Sequence, residues 1–239
     1  MGTEFNKTFN NVSAVGEPHL ACVLLLDTSG SMSGEPLRLL EQSVNKFKEQ
    51  ICLDELSTKR VDVCIISFDD EARVIQDFTP ISELVPVHLE PGILTNMAQG
   101  INLAIDKVRE RRKLYSDLGI ASFTPWIFML TDGASTEDLE EVANRIYDEE
   151  HAIRADGSKK QKLIFWSCGV PGYCPQDLAK LGPRIIELEG YSFTGIFNWL
   201  SESMVIISCS DVDITDSPQL SKLPADANVV DRKQIPFEW

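Results

Sequence analysis

The amino-acid sequence predicts an α/β fold: a doubly wound, mostly parallel six-stranded sheet with helices on both faces and one antiparallel edge strand. Short, nearly uninterrupted apolar runs alternate with amphipathic segments of helix length, and such runs are typical of strands that are buried on both faces. Most of the connections are long enough to hold a crossover helix, which parallel strands require. A chain of 239 residues can bury one core of this kind.

The first half of the chain carries three of the predicted strands. Residues 20–27 form the first, and the helix predicted over 36–53 has apolar residues three and four positions apart. A strand over 61–68 and an acidic turn lead to a strand over 72–78, which we expect to lie antiparallel at the sheet edge. An irregular, proline-containing connection precedes a helix over 97–114.

The second half of the chain repeats this alternation. Its predicted elements are, in order, a strand over 125–131, a helix over 137–152, a strand over 163–168, a short helix over 176–181, a strand over 184–188 and a last amphipathic helix over 193–208. We divide the chain into an N-terminal segment over 1–17, part of which could be a cloning scar, one domain over 18–208, and an acidic C-terminal tail over 209–239. The apolar end of that tail, 235–239, is expected to fold back onto the domain.

Charge and hydropathy exclude some classes of function. The chain has 37 acidic and 22 basic side chains and a formal charge of −15, so a polyanion such as DNA would be repelled, and we expect no nucleic-acid partner. No apolar run approaches the roughly 18 residues that a membrane span needs, and the N-terminus lacks the pattern of a secretory signal. We therefore expect a cytoplasmic protein without a membrane partner.

Three stretches place oxygen-bearing side chains in loops beside the predicted strands. Asp27, Ser29 and Ser31 follow the first strand at alternate positions, Thr95 stands in the loop before a helix, and Asp132 follows the strand over 125–131. Open α/β sheets bind their ligands at the carboxyl ends of strands, and Mg²⁺ prefers oxygen ligands. These residues therefore indicate a metal site. The alternative is that they only cap helices and turns.

This set of motifs resembles the von Willebrand factor A (vWA) domain and its metal-ion-dependent adhesion site (MIDAS). The family pattern is Asp-x-Ser-x-Ser after the first strand, a lone Thr in a middle loop and an Asp after the fourth strand. The resemblance implies a vWA, Rossmann-like fold in which Ser29, Ser31 and Thr95 contact the metal. It implies that Asp27 and Asp132 act on the metal either directly or through a water molecule. The implied cation is Mg²⁺, with Mn²⁺ or Ca²⁺ as alternatives, and the implied partner is a protein that presents Asp or Glu.

Within the family, the chain is most similar to bacterial TerY-type proteins, which belong to tellurium-resistance and related stress systems. The similarity rests on residues 22–36 and on three shorter segments, 59–63, 76–79 and 125–128. It implies a cytoplasmic protein whose partners are protein kinases and phosphatases. One departure from the family pattern is Leu94, which precedes the predicted threonine ligand where relatives often have glycine.

Two other functions compete with metal-dependent binding. Residues 30–34, Gly-Ser-Met-Ser-Gly, resemble the G-x-S-x-G pattern of serine hydrolases, although Met32 stands at its central position. In this alternative Ser33 is the nucleophile, and Asp132 and His151 follow in the order that this fold uses. However, two residues separate the strand end from the motif, and His151 lies near the end of an acidic predicted helix, so we expect no enzyme. The third possibility is a vWA scaffold that binds no metal.

Two smaller features have alternative interpretations. The basic run over 109–113 could be a docking patch, but cations at a helix C-terminus also complement the helix dipole, and we favour that account. Cys168 and Cys174 could form a redox pair, although their spacing does not match the usual zinc sites.

Overall fold

The computed structural model describes residues 16–153, 157, 160–210 and 219–236 of the chain. One sheet forms the centre of the domain. Its strands are β1 (Leu20–Asp27), β2 (Val61–Phe68), β3 (Ala72–Pro80), β4 (Trp126–Thr131), β5 (Ile164–Gly169), β6 (Ile185–Leu188) and β7 (Ala227–Val230). The helices are α1 (Glu35–Ile51), α2 (Glu55–Arg60), α3 (Met97–Asp117), α4 (Glu140–Glu150), α5 (Pro175–Leu181) and α6 (Phe193–Ser208).

The strands lie in the order β3-β2-β1-β4-β5-β6-β7. Five strands run parallel to one another in the order β2-β1-β4-β5-β6. At the two edges of the sheet, β3 pairs antiparallel with β2 and β7 pairs antiparallel with β6. All eight residues of β1 are buried, as expected for the central strand of a sheet that is covered on both faces. The predicted doubly wound α/β fold is confirmed, including the antiparallel edge strand β3.

The sheet has a seventh strand, which the sequence analysis did not predict. Residues 227–230 pair antiparallel with β6, so that Ile186 lies opposite Val229. They belong to the segment that we expected to form an acidic tail beyond residue 208. Only Ala227 of this strand is buried, so its sequence carries little of the apolar pattern that identifies a strand. The expected strand number of six is therefore corrected to seven.

Side chains of β1 alternate between two cores, one on each face of the sheet. Leu24 and Leu26 join the core that is covered by α1 and α6, while Val23 and Leu25 join the core that is covered by α3, α4 and α5. The period-two alternation of a strand and the apolar stripe of each helix produce these two layers. In the described part of the chain, no helix has the length and apolarity needed to cross a bilayer.

The basic run over 109–113 lies before the last turn of α3, which contains no basic residue, so the expected role at the helix C-terminus is wrong. Two arginines of this run form ion pairs inside the domain. Arg109 donates to the Glu149 carboxylate at 2.6 Å, and Arg111 forms an ion pair at 2.9 Å with Asp62, which is fully buried in β2. These contacts tie α3 to α4 and to the sheet.

All six cysteines are free, including Cys168 and Cys174. Burial raises the pKa of the Cys168 thiol, which keeps it in the protonated, unreactive form. The structure therefore does not pair these two cysteines.

Candidate metal centre

The candidate site lies where β1 and β4 end. These strands are parallel neighbours, with Leu26 opposite Leu130, so the loops that follow them leave the sheet side by side. The loop after β1 carries Ser29 and Ser31, and the loop after β4 carries Asp132. The sequence predicts this proximity because both strands are apolar runs that end in polar residues.

Three of the predicted residues form one hydrogen-bonded group. The Ser31 hydroxyl donates to Oδ1 of Asp132 at 2.7 Å, and the Ser29 hydroxyl oxygen lies 3.1 Å from that of Ser31. Ser29 and Asp132 are 2% and 3% exposed, whereas Ser31 is open to solvent. The group is therefore a mostly buried arrangement of oxygens with one member at the surface.

Asp27 lies behind this group and is fully buried. Its Oδ1 accepts a hydrogen bond from the backbone N–H of Ser29 at 2.8 Å, and its Oδ2 accepts one from the Thr131 hydroxyl at 2.5 Å. Both carboxylate oxygens are thus engaged by the protein. Asp27 consequently orients the loop of Ser29, and it would act on a cation through intervening groups. Thr131 directly precedes Asp132, but it was not among the predicted site residues.

Thr95 is brought to the same place by a third loop. A Cβ atom added to Gly133 would lie 3.1 Å from Oγ1 of Thr95, so the Thr95 hydroxyl is beside the loop that carries Asp132. The backbone carbonyl of Thr95 accepts hydrogen bonds from both the N–H and the hydroxyl of Thr136, each at 3.1 Å. The structure therefore brings the predicted residues into three adjacent loops.

The turn between β2 and β3 supports the loop of Thr95, and sequence reasoning missed this contribution. Asp69 is 1% exposed, and its carboxylate accepts a hydrogen bond from the Thr28 hydroxyl at 2.8 Å. Its backbone carbonyl accepts one from the N–H of Asn96 at 2.9 Å. The N–H of Gly92 donates to the carbonyl of Thr28 at 2.8 Å. No local sequence pattern signals this support, because it depends on β2 lying beside β1 in the sheet.

Leu94, which departs from the family pattern, is accommodated by the next residue of that turn. The Asp70 carboxylate accepts hydrogen bonds from the backbone N–H groups of Ile93 and Leu94 at 3.2 and 3.1 Å. The Leu94 side chain is 50% exposed and needs no space inside the site. Leucine at position 94, where relatives often have glycine, therefore leaves Thr95 buried beside the other oxygen donors.

Both carboxylates of the site are harder to ionise than an ordinary aspartate. Burial raises the pKa of Asp27 to about 6, against the lowering effect of hydrogen bonds from Ser29 and Thr131. Burial also raises the pKa of Asp132, although the hydroxyls of Ser31 and Ser29 partly offset it. A positive charge at this place would favour the ionised form of both groups.

The donor set fits a hard divalent cation. It consists of hydroxyl and carboxylate oxygens, the ligand type that Mg²⁺ and Ca²⁺ prefer. A hydroxyl that donates its hydrogen to a carboxylate, as Ser31 does to Asp132, still has lone pairs to offer. Among the described residues, no group of three or more His, Cys, Asp or Glu side chains is arranged to hold a metal, so a site of the histidine or thiolate type is absent from that part.

The structure does not assemble the alternative serine hydrolase. Ser33 is exposed and follows a short 3₁₀ helix over Gly30–Met32 instead of the strand itself. His151 ends α4, where its ring lies 2.9 Å from the carbonyl of Tyr147. That end of α4 contacts the beginning of β5, because Lys162 donates its N–H to the carbonyl of Glu149. His151 therefore lies near the amino-terminal end of β5, whereas Ser33 follows the carboxyl end of the parallel strand β1.

Solved structures with the same fold include proteins from an archaeon, a bacterium and a mussel. A vWA protein of Sulfolobus acidocaldarius, the ArnB paralog VWA2, is 13% identical with a TM-score of 0.53, and the match covers 78% of this chain and 45% of the other. A von Willebrand factor type A protein of Catenulispora acidiphila is 13% identical with a TM-score of 0.56, covering 82% and 48%.

Proximal thread matrix protein 1 of the mussel byssus, whose structure has a zinc-occupied MIDAS motif, is 14% identical with a TM-score of 0.51, covering 80% and 46%. The chain thus spans about half the length of these solved proteins.

The family itself is shown by the sequence. No curated protein matches the chain, but the family model for the von Willebrand factor type A domain matches residues 22–162. That match covers more than half of the chain and includes the central strands and all three loops of the candidate site. The chain therefore belongs to the von Willebrand factor type A domain family.

Proposed function

We propose that this chain is a protein-interaction module, not an enzyme, that binds a carboxylate of a partner protein through a bridging divalent cation. The residues that would hold the cation are Asp27, Ser29, Ser31, Thr95 and Asp132. The observation that carries the proposal is the hydrogen-bonded group of Ser29, Ser31 and Asp132 at the carboxyl ends of β1 and β4. We propose Mg²⁺ as the cation, with Mn²⁺ or Ca²⁺ as alternatives.

The charge of the donors favours an acidic partner. The serine and threonine hydroxyls are neutral. Both carboxylates already accept hydrogen bonds from the protein, Asp27 from Ser29 and Thr131, and Asp132 from Ser31. When bound, the cation supplies uncompensated positive charge and a coordination position for an anionic oxygen from outside. Ser31, the exposed member of the group, lies at the entry for that oxygen. The buried carboxylates keep the hydroxyls correctly oriented.

The relatives support parts of the proposal. The mussel protein has zinc in its MIDAS motif, which supports a divalent cation at a site of this kind in the family. The similarity to TerY-type proteins extends the proposal to a cytoplasmic role in a bacterial stress system of the tellurium-resistance type. In that role the partner would be a protein kinase or phosphatase that presents Asp or Glu.

Cation titration of the metal-free protein tests the proposal. We expect isothermal titration calorimetry to detect one Mg²⁺ per chain and binding to be at least about tenfold weaker after Ser29→Ala or Asp132→Asn. Ser33→Ala is the matched control, because Ser33 is an exposed serine of the same loop whose backbone N–H donates to the carbonyl of Gly30. Equal Mg²⁺ affinity of Ser29→Ala, Asp132→Asn and the unmodified chain would contradict the assignment.

A vWA scaffold without metal is the second candidate. It is favoured by one observation: the Thr131 hydroxyl and the Ser29 N–H already satisfy the Asp27 carboxylate without a cation. The same titration separates the two candidates, because the scaffold would give no binding heat with Mg²⁺, Mn²⁺, Ca²⁺ or Zn²⁺ and no cation-dependent change in melting temperature.

A further inference from the structure

Two consecutive apolar side chains border the candidate site and are open to solvent. Ile93 is 80% exposed and Leu94 is 50% exposed, and both directly precede Thr95. A single exposed apolar residue needs no explanation. These two, however, are neighbours on one loop, and we call them the apolar tip.

The apolar tip is held in a fixed position. Its two backbone N–H groups donate to the Asp70 carboxylate, and Gly92 donates to the carbonyl of Thr28. Gly30 also packs against this loop, because a Cβ atom at Gly30 would lie 3.5 Å from the carbonyl oxygens of Gly92 and Ile93. A pre-organised apolar surface loses little conformational entropy when a partner covers it.

The charge around the tip is negative. Exposed acidic residues lie in the loops that surround the site: Asp70, Glu90, Glu137 and Asp138. Two arginines that follow loops around the site are already paired with carboxylates, Arg38 with Glu35 at 2.5 Å and Arg73 with Asp69 at 2.9 Å. An acidic partner surface would therefore be repelled everywhere except at the cation itself.

We propose that the partner segment has an apolar side chain next to its Asp or Glu and Lys or Arg residues on both sides. The carboxylate would reach the cation, the apolar side chain would pack on Ile93 and Leu94, and the basic residues would face the acidic loops. This inference rests on the proposed function, and it adds the sequence chemistry of the segment that the module binds.

Peptide selection on the full chain tests this inference. Random peptides displayed on phage are bound in Mg²⁺ and eluted with EDTA, and we expect the enriched sequences to contain an apolar residue beside Asp or Glu within a basic context. The best synthetic peptide is then compared with two versions of itself, one with the apolar residue changed to Ser and one with the basic residues changed to Glu.

The variants Ile93→Ser and Leu94→Ser, combined, should weaken binding of the best peptide by about 10- to 100-fold. They should leave binding of the Ser-containing peptide and of Mg²⁺ alone unchanged. Val229→Ser is the matched control, because Val229 is 65% exposed and lies on the edge strand β7.

The outcomes separate this inference from the proposed function. Peptides that require Mg²⁺ but show no apolar or basic preference, or that bind the double variant with full affinity, would overturn the inference and leave the proposed function standing. If EDTA elutes no enriched peptide, or if Ser29→Ala binds the selected peptide normally, both the proposed function and the inference are overturned.

Discussion

Ser31 and Asp132 are 101 positions apart in the chain, and the Ser31 hydroxyl donates a 2.7 Å hydrogen bond to the Asp132 carboxylate. A second bond runs in the opposite direction, from the hydroxyl of Thr131 to the carboxylate of Asp27. β1 with the loop after it and β4 with the loop after it thus each supply a donor for a carboxylate of the other. Because of these reciprocal bonds, a substitution in either loop should affect both.

Asp27→Asn should stabilise the protein when divalent cations are absent. Burial raises the pKa of Asp27 from 3.8 to about 6, so the folded state holds this proton more tightly than the unfolded state does. Stability is therefore lost as the pH rises from about 4 to about 6, by up to roughly 3 kcal/mol. We expect urea unfolding in EDTA at pH 7.5 to show the variant more stable by about 1–3 kcal/mol, with no advantage near pH 4.

Mg²⁺ provides the control for this prediction. A bound cation favours the ionised carboxylate, so the unmodified chain should gain stability with increasing Mg²⁺ while the variant gains less. If the unmodified chain is more stable than Asp27→Asn in EDTA at pH 7.5, the prediction that the buried Asp27 charge lowers the free energy of unfolding is contradicted.

Gly92→Ala should displace the loop that carries Thr95. A Cβ atom at Gly92 would lie 2.5 Å from Cβ and Cγ of Asp69, and Asp69 cannot move freely because it is buried and bonded to Thr28. We expect a loss of about 1–3 kcal/mol in the free energy of unfolding and weaker Mg²⁺ binding by calorimetry. Gly30→Ala is the control, because its Cβ meets nothing closer than 3.5 Å. Unchanged Mg²⁺ affinity in Gly92→Ala would show that the loop tolerates the methyl group.

The central strands and the residues of the candidate site could be predicted from the sequence. The bounds of β1 and β2 agree with the predicted 20–27 and 61–68, because each is an apolar run with polar residues at its end. Asp27, Ser29, Ser31 and Asp132 stand directly after such runs, so their proximity follows from the parallel sheet. That they bind a metal stays a prediction.

The contacts that support the site could not be predicted. The support of Asp69 for Thr28 and of Asp70 for the loop of Thr95 depends on which strands are neighbours, and no local pattern encodes strand order. Strand β7 was missed for another reason. It has four residues, follows a polar segment and buries only Ala227, so pairing with β6, not local periodicity, makes it a strand.

Asp62→Asn should destabilise the fold strongly. The Asp62 carboxylate is fully buried in β2 and is contacted by His19 at 2.8 Å, by Arg111 at 2.9 Å and by the hydroxyl of Tyr115. Burial alone would raise the pKa of Asp62, but the hydrogen bond from His19 and the charge of Arg111 lower it. The substitution leaves the Arg111 charge without this carboxylate, and we expect a loss of about 3 kcal/mol in urea unfolding at pH 7.

The pH dependence of that loss has a defined sign. Because the folded pKa of Asp62 lies below the unfolded value, its stabilising effect is complete above about pH 4 and is lost as the pH falls through the folded pKa. The difference in the free energy of unfolding between the unmodified chain and Asp62→Asn should therefore narrow only in strong acid.

Asp77→Asn is the control for this prediction. The Asp77 side chain, which pairs with Lys107, is 60% exposed, so Asp77→Asn should cost at most about 1 kcal/mol. An equal loss of stability in both variants would contradict this account.

Ile235→Ala tests whether the C-terminal segment is part of the domain. Ile235 is 8% exposed and joins the core on the face of α3, α4 and α5, and the adjacent Pro236 carbonyl accepts a hydrogen bond from Gln176. Loss of this buried side chain should cost about 2 kcal/mol or more in thermal or urea unfolding. Val229→Ala, in the exposed edge strand β7 at 65% exposure, should change stability by less than about 0.5 kcal/mol. If Ile235→Ala changes stability no more than Val229→Ala does, the segment contributes no core packing, and the expectation that the apolar end of the tail folds back onto the domain would be contradicted.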